Sequence, residues 1–175
     1  MRLKLRPGAL PEGMRFDHPA SLVATFGGVG FAPLAAGTWG SLAALPCAWL
    51  IHYWFGWSGM AVAAMALALL GVWAAEEIVR RGNVRDPGFI VIDEVAGQFL
   101  ALLFAPAGLM AWLVAFLLFR AADIVKPFPA NWCDRNLHGG FGVMLDDLVA
   151  GVYAGLAVWF FAKLGVFAHV ERLLE

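Results

Sequence analysis

Apolar and polar positions along the chain separate into long blocks. Three intervals, 18–75, 95–119 and 148–162, contain no Asp, Glu, Lys or Arg, and polar residues gather in the stretches between them. A helix needs roughly 20 apolar residues to cross a bilayer, about 17 where the bilayer is thin. On that measure the pattern predicts five apolar helices near 41–57, 59–76, 93–106, 108–123 and 147–166, the third being the shortest. A further run, SLVATFGGVGFAPLAAG at 21–37, is apolar but broken by Gly27, Gly28, Gly30 and Pro33. Glycine and proline at that density interrupt a helix, so a short helix or re-entrant segment shielded by protein is expected there.

The expected fold class is therefore all-α, a polytopic helical membrane protein. A basic amino-terminal arm (1–20) precedes one helical membrane domain (21–166), and a short tail (167–175) follows. Composition agrees, because 62% hydrophobic and 14% charged residues, with a mean hydropathy of +0.76, lie far from soluble averages. Met1 to Arg15 is basic and polar without the apolar core of a cleavable signal, so the first apolar segment is expected to stay in the mature protein. Cys47 in an apolar run and Cys133 in a polar stretch suggest free thiols rather than a disulfide framework.

The basic residues are placed unevenly. The arm (Arg2, Lys4, Arg6, Arg15), the 77–92 connection (Arg80, Arg81, Arg85) and the 120–146 stretch (Arg120, Lys126, Arg135) hold ten of the twelve. The turn between the first two helices and the Ala105–Pro106 turn hold none. Positive residues mark the cytoplasmic side, which makes helices one and two one hairpin, three and four another, with every charged loop on one face. No internal repeat of the kind that marks two-halved transporters is visible.

Three polar islands border the apolar runs on that face: GTWGSL (37–42), VIDEVAGQF (91–99) and FRAADIVKPFPANWCDRNLHGGFGVMLDDLVAG (119–151). Asp93 and Glu94 stand where a helix enters the membrane, and Gly97 lies one turn beyond Asp93. Asp146 and Asp147 repeat the device, with Gly151 one turn beyond Asp147. Acids at a helix start are ordinary capping residues. Two such pairs, each followed by a glycine that permits close helix approach, could instead face one another across one site. Four carboxylates brought together repel, and protonation or capture of a cation relieves them. Oxygen-only ligands point to a hard ion such as magnesium.

Arg120, Asp123 and Lys126 share one side of the fourth helix before Pro127 and Pro129 end it, either as a snorkelling helix end or as part of a site. Asp134, Arg135 and His138 precede Gly139, Gly140 and Gly142; such a turn is a bland flexible loop or a set of bare N–H groups for an anion. Thr38 and Ser41 suit capping of the first spanning helix, with phosphate binding as the alternative. Acids for a cation, fixed positive groups for an anion and an apolar body together fit a phosphorylated lipid. The arginine that a cysteine-dependent phosphatase needs six residues after Cys133 is replaced by Gly139, and no D-x-D pair or R-H-G run occurs, so hydrolysis should be metal-assisted.

The series GTWGSLAALP, IDEVAGQF, FRAADIVKPFP and WCDRNLHGGFGVMLDDLVAG resembles the phosphatidylglycerophosphatase A family over about residues 20–155. The resemblance implies a magnesium-dependent phosphatase acting on phosphatidylglycerophosphate at the cytoplasmic side of a bacterial inner membrane. It also implies that the motif acids are Asp93, Glu94, Asp123, Asp134, Asp146 and Asp147. On this reading Asp93, Glu94, Asp146 and Asp147 hold magnesium, with Asp123 and Asp134 as further ligands or as partners of basic groups. Arg120, Lys126 and Arg135 neutralise phosphate oxygens beside Thr38, Ser41, Gly139 and Gly140, and His138 is a candidate acid. A membrane cation transporter and a CDP-alcohol-type phosphotransferase are the alternatives. No nucleic-acid partner is expected, and the oligomeric state is not encoded in any visible pattern.

Overall fold

The computed structural model of the chain describes residues 10–83, 87–167 and 169, and within them every regular element is helical. Arg2, Lys4, Arg6 and Arg85 and most of the expected tail lie outside the described residues. The elements are α1 (Pro19–Ala24), a 3-10 turn (Val29–Phe31), α2 (Ala36–Gly82), α3 (Ile92–Leu102), α4 (Leu109–Val125), α5 (Ala130–Asn136) and α6 (Gly139–Lys163).

The glycine-broken segment takes the short-helix form. Thr25 Oγ1 donates to the Ser21 carbonyl at 2.7 Å and accepts from the Gly28 amide at 3.0 Å, which closes α1 and turns the chain. The Val91 amide then donates to the Ala24 carbonyl at 2.9 Å, which ties this segment to the start of α3.

Helix α2 is 47 residues long, but at Gly56 its backbone leaves helical geometry (φ 62°, ψ −157°). A straight helix would put Gly40 and Gly71 about 46 Å apart. Gly40 instead lies against Val91 and Gly71 against Ile92, neighbours in the chain. The two arms of α2 therefore double back on each other at Gly56, which is the first expected hairpin. Only glycine adopts this region of φ/ψ readily.

The two arms of α2 with α3, α4 and α6 correspond to the five expected apolar helices, but not all are shown to be long enough to span. Among the described residues α2 and α6 are long and apolar enough to cross a membrane. Helix α3 has 11 residues and α4 has 17, which correspond to about 16 and 25 Å. The third apolar run stops at Leu102 because the chain turns through Leu103–Ala105 rather than continuing to residue 106.

Helix α6 starts eight residues before the expected 147, which places Asp146 and Asp147 two turns inside it rather than at its mouth. Gly140 and Gly142, read as part of a loop, are helical and closely packed. A Cβ on Gly140 would come within 2.8 Å of Glu76 Cβ, and one on Gly142 within 2.6 Å of the Leu137 backbone. Helix α5 also falls in a stretch that was expected to be irregular.

Small residues let the helices close. Gly97 of α3 faces α6, where a Cβ would sit 2.6 Å from the Asp147 carbonyl, and Gly151 of α6 faces Gly97, its Cβ 3.1 Å from that Cα. Phe99, Phe119, Met60, Ile78 and Met144 fill the remaining interior. The exterior is also apolar, with Trp54 72%, Val62 71% and Leu69 65% exposed. Packing between such helices rests on shape and close backbone approach more than on burial from water.

A Gly56→Ala change adds a Cβ that meets nothing, so its whole effect is backbone strain. It should lower stability by about 1–3 kcal/mol, read as a reduced unfolding midpoint in detergent. An unchanged midpoint would contradict the doubled-back α2.

Candidate active site

The end of the bundle away from Gly56 gathers the first turns of α2 and α3, the last turn of α4, the α5 segment and the amino-terminal third of α6. All of these but α2 line a cavity of about 110 Å³. Its wall carries six carboxylates, Asp93, Glu94, Asp123, Asp134, Asp146 and Asp147, alongside Lys126 and His138. Four of the acids are nearly buried, with Asp93 at 8%, Asp123 at 9%, Asp146 at 6% and Asp147 at 4% exposure.

Two cations counter part of this charge. Arg120 reaches Asp123 at 2.6 Å, Glu94 at 3.8 Å and the Ser41 hydroxyl at 3.4 Å. Ser41 in turn donates to the Gly37 carbonyl at 3.0 Å. Gly37 is needed at its position because a Cβ there would overlap the Glu94 carboxylate and lie 3.3 Å from Arg120 Nη1. The first island thus serves the site as a floor beneath Glu94 and Arg120. Lys126 bridges Asp134 at 2.8 Å and Asp146 at 2.5 Å. Burial pulls its ammonium pKa down, but the two carboxylates outweigh that and hold it above the ordinary lysine value.

Asp93, Glu94 and Asp147 are left as a group whose carboxylate oxygens lie within 4.8 Å of one another. Asp93 Oδ1 accepts from the Glu94 amide at 3.0 Å, which orients it at the first turn of α3. Glu94 Oε2 is buried and meets no hydrogen-bond partner. An orphaned carboxylate oxygen among three acids is chemically suited to a hard divalent cation.

The structure brings together most residues singled out in the sequence and reassigns others, Ser41 and Arg120 supporting the acids from outside the cavity lining. Asp146, expected beside the other three acids as a metal ligand, is turned to Lys126. Thr38 and Arg135 do not line the cavity: Thr38 sits in the first turn of α2, and Arg135 is exposed on α5. The Gly140 amide, expected to be bare for an anion, donates instead to Glu76 Oε2 at 2.6 Å. Gly139 does line the cavity, in the left-handed region at φ 73°. His138 stands at the rim with Nδ1 3.1 Å from the Asn136 carbonyl. Sequence reading missed Glu76, because it lies at the end of an apolar helix beside Glu77, Arg80 and Arg81, where it looks like an ordinary solvated acid.

The family model described as Phosphatidylglycerophosphatase A matches residues 22–162. Among curated proteins the chain is similar to Phosphatidylglycerophosphatase A of Escherichia coli (strain K12), 36% identical over 148 residues covering 84% of this chain and 86% of the relative. It is also similar to the protein of that name from Haemophilus influenzae, 37% identical over 143 residues covering 81% and 88%. No solved structure matches.

Lys126→Met should lower stability by about 1–3 kcal/mol by removing the ammonium that Asp134 and Asp146 share. Because the folded pKa of Lys126 is raised, its contribution is complete below the ordinary value of 10.5 and is lost only above it. The gap in melting temperature between wild type and variant should therefore stay constant between about pH 6 and 9. A gap that closes within that range would contradict the assignment.

Proposed function

The chain belongs to the phosphatidylglycerophosphatase A family, and from that premise we propose that it hydrolyses phosphatidylglycerophosphate to phosphatidylglycerol and inorganic phosphate. The reaction takes place at the cytoplasmic face of a bacterial inner membrane and uses magnesium. The observation that carries the proposal is the meeting of Asp93 and Glu94 from α3 with Asp147 from α6, three oxygen donors within 4.8 Å.

The fit to magnesium is chemical: all three donors are carboxylates, one of their oxygens is buried without a partner, and neighbouring acids leave excess negative charge for a cation to balance. When bound there, the ion supplies positive charge to the phosphoryl oxygens and lowers the pKa of an attacking water. The protein's own groups do the rest. Arg120 holds Glu94 and Asp123 in place from behind. Lys126 fixes Asp134 and Asp146 at the opposite wall and offers its charge to the entering monoester, whose repulsion of nucleophiles is the main barrier. Water adds to phosphorus as the bond to the glycerol oxygen breaks, and His138 at the rim gives that oxygen its proton.

An apolar exterior supports membrane residence, as lipid rather than water suits the exposed face of α2. Arg80 and Arg81 at the end of α2, with Arg120, Lys126 and Arg135, stand at the site end, while Lys163 stands at the far end of α6. That distribution supports a cytoplasmic site. Cation transport and CDP-alcohol transfer are not favoured, since both relatives above bear a phosphatase name.

Asp93→Asn and Asp147→Asn should each lower kcat by about 100-fold or more, measured as phosphate release from phosphatidylglycerophosphate in mixed micelles. Circular dichroism and elution volume should remain those of the wild type. Turnover near wild type in both variants would remove the metal reading.

A further inference from the structure

More than half of the cavity wall comes from one stretch of chain, residues 137–147, which runs from the α5–α6 connection into the first two turns of α6. The amino end of α6 has no side-chain cap of its own, since His138 precedes it without bonding to its free amides. A bond to that end comes from 64 residues away in sequence, where Glu76 Oε2 of α2 accepts from the Gly140 amide at 2.6 Å. The surrounding backbone is shaped for this contact. Gly139 takes φ 73° with its α-carbon side facing the Glu76 carboxylate, and Gly140 lies so close that a Cβ would come within 2.8 Å of Glu76 Cβ.

From this we infer that Glu76 is a positioning residue for the active site: its carboxylate caps α6 from outside and sets where His138, Gly139 and the acids two turns further on stand in the cavity. The inference rests on the reading of the cavity as a phosphatase site. A carboxylate is well matched to this task, because a helix start presents unpaired N–H groups and a partial positive charge. Glu77, the next residue, is committed elsewhere, to Arg80 at 2.7 Å and Arg81 at 2.5 Å. These pairs span the last two turns of α2, next to Glu76. Glu76 is absent from the cavity lining, so its effect on chemistry must pass through the α6 backbone.

The test compares Glu76→Ala and Glu76→Gln in detergent-purified full-length protein. Both are assayed with magnesium and phosphatidylglycerophosphate, rates are normalised to folded protein, and amide hydrogen exchange is followed over 138–147. Displaced supporting groups typically cost 10- to 100-fold, so Glu76→Ala should lower kcat about 10-fold or more with KM little changed, and should speed exchange in 138–147 but not in α4. Glu76→Gln keeps an acceptor oxygen and should return kcat to within about 3-fold of wild type. A Glu76→Ala protein whose folded fraction turns over at the wild-type rate would overturn the inference, as would equal loss in the Gln variant. If Glu76→Ala does not fold, wild-type kcat and exchange in Glu76→Gln support the inference and a 10-fold loss there overturns it. Inactive wild-type protein would instead count against the phosphatase reading, and the exchange comparison would still decide the role of Glu76.

Discussion

Mutual repulsion among acids in a confined, poorly hydrated space is the constraint on which the rest of this structure depends. Six carboxylates share a cavity of about 110 Å³. Carboxylates this close raise one another's energy steeply unless protons or cations intervene. The chain provides two cations and disposes them asymmetrically, with Arg120 behind Glu94 and Asp123 and Lys126 between Asp134 and Asp146. Between them Asp93, Glu94 and Asp147 bring three carboxylate oxygens within 4.8 Å of one another. Cations at the edges and clustered acids at the centre suit a site that takes up a divalent ion and then an anionic ester.

Holding the acids there despite their repulsion falls to the packing of α3 against α6. Gly97 and Gly151 face each other where larger residues would force the helices apart. That close approach sets the separation between the Asp93–Glu94 pair and Asp147. Sites built on helices with locked backbones keep their geometry better than sites built on loops. The doubled-back α2 adds the outer supports, one arm bringing Gly37 and Ser41 beneath Arg120 and the other bringing Glu76 to the start of α6.

Much of this was legible in the sequence. Charge-free blocks located the helices, and the recurring acid pair followed by glycine located the α3–α6 contact, because both signals arise from local spacing. Three features were not legible, each for a physical reason. Gly139, Gly140 and Gly142 read as a flexible turn because glycine signals either conformational freedom or lack of room, and only the neighbouring Glu76 and Leu137 reveal that room is lacking here. Asp146 read as an equal of Asp147, since adjacent residues on a helix point about 100° apart and nothing local tells which one meets Lys126. The role of Glu76 depends on a contact between residues 64 apart, which no spacing rule encodes. Chain length along α3 was also overestimated, since hydrophobicity continues past Leu102 into residues that turn rather than extend the helix.

The account stands or falls on whether acids from two helices share one divalent ion. Manganese is a spectroscopic stand-in for magnesium, and its binding to EDTA-stripped protein can be followed by electron paramagnetic resonance without any turnover. Wild-type protein should bind it saturably and release it to excess magnesium, while Asp93→Asn and Asp147→Asn, altered on different helices, should each lose that binding. Saturable binding that survives in both variants, or full lipid hydrolysis by stripped protein that binds no manganese, would contradict it.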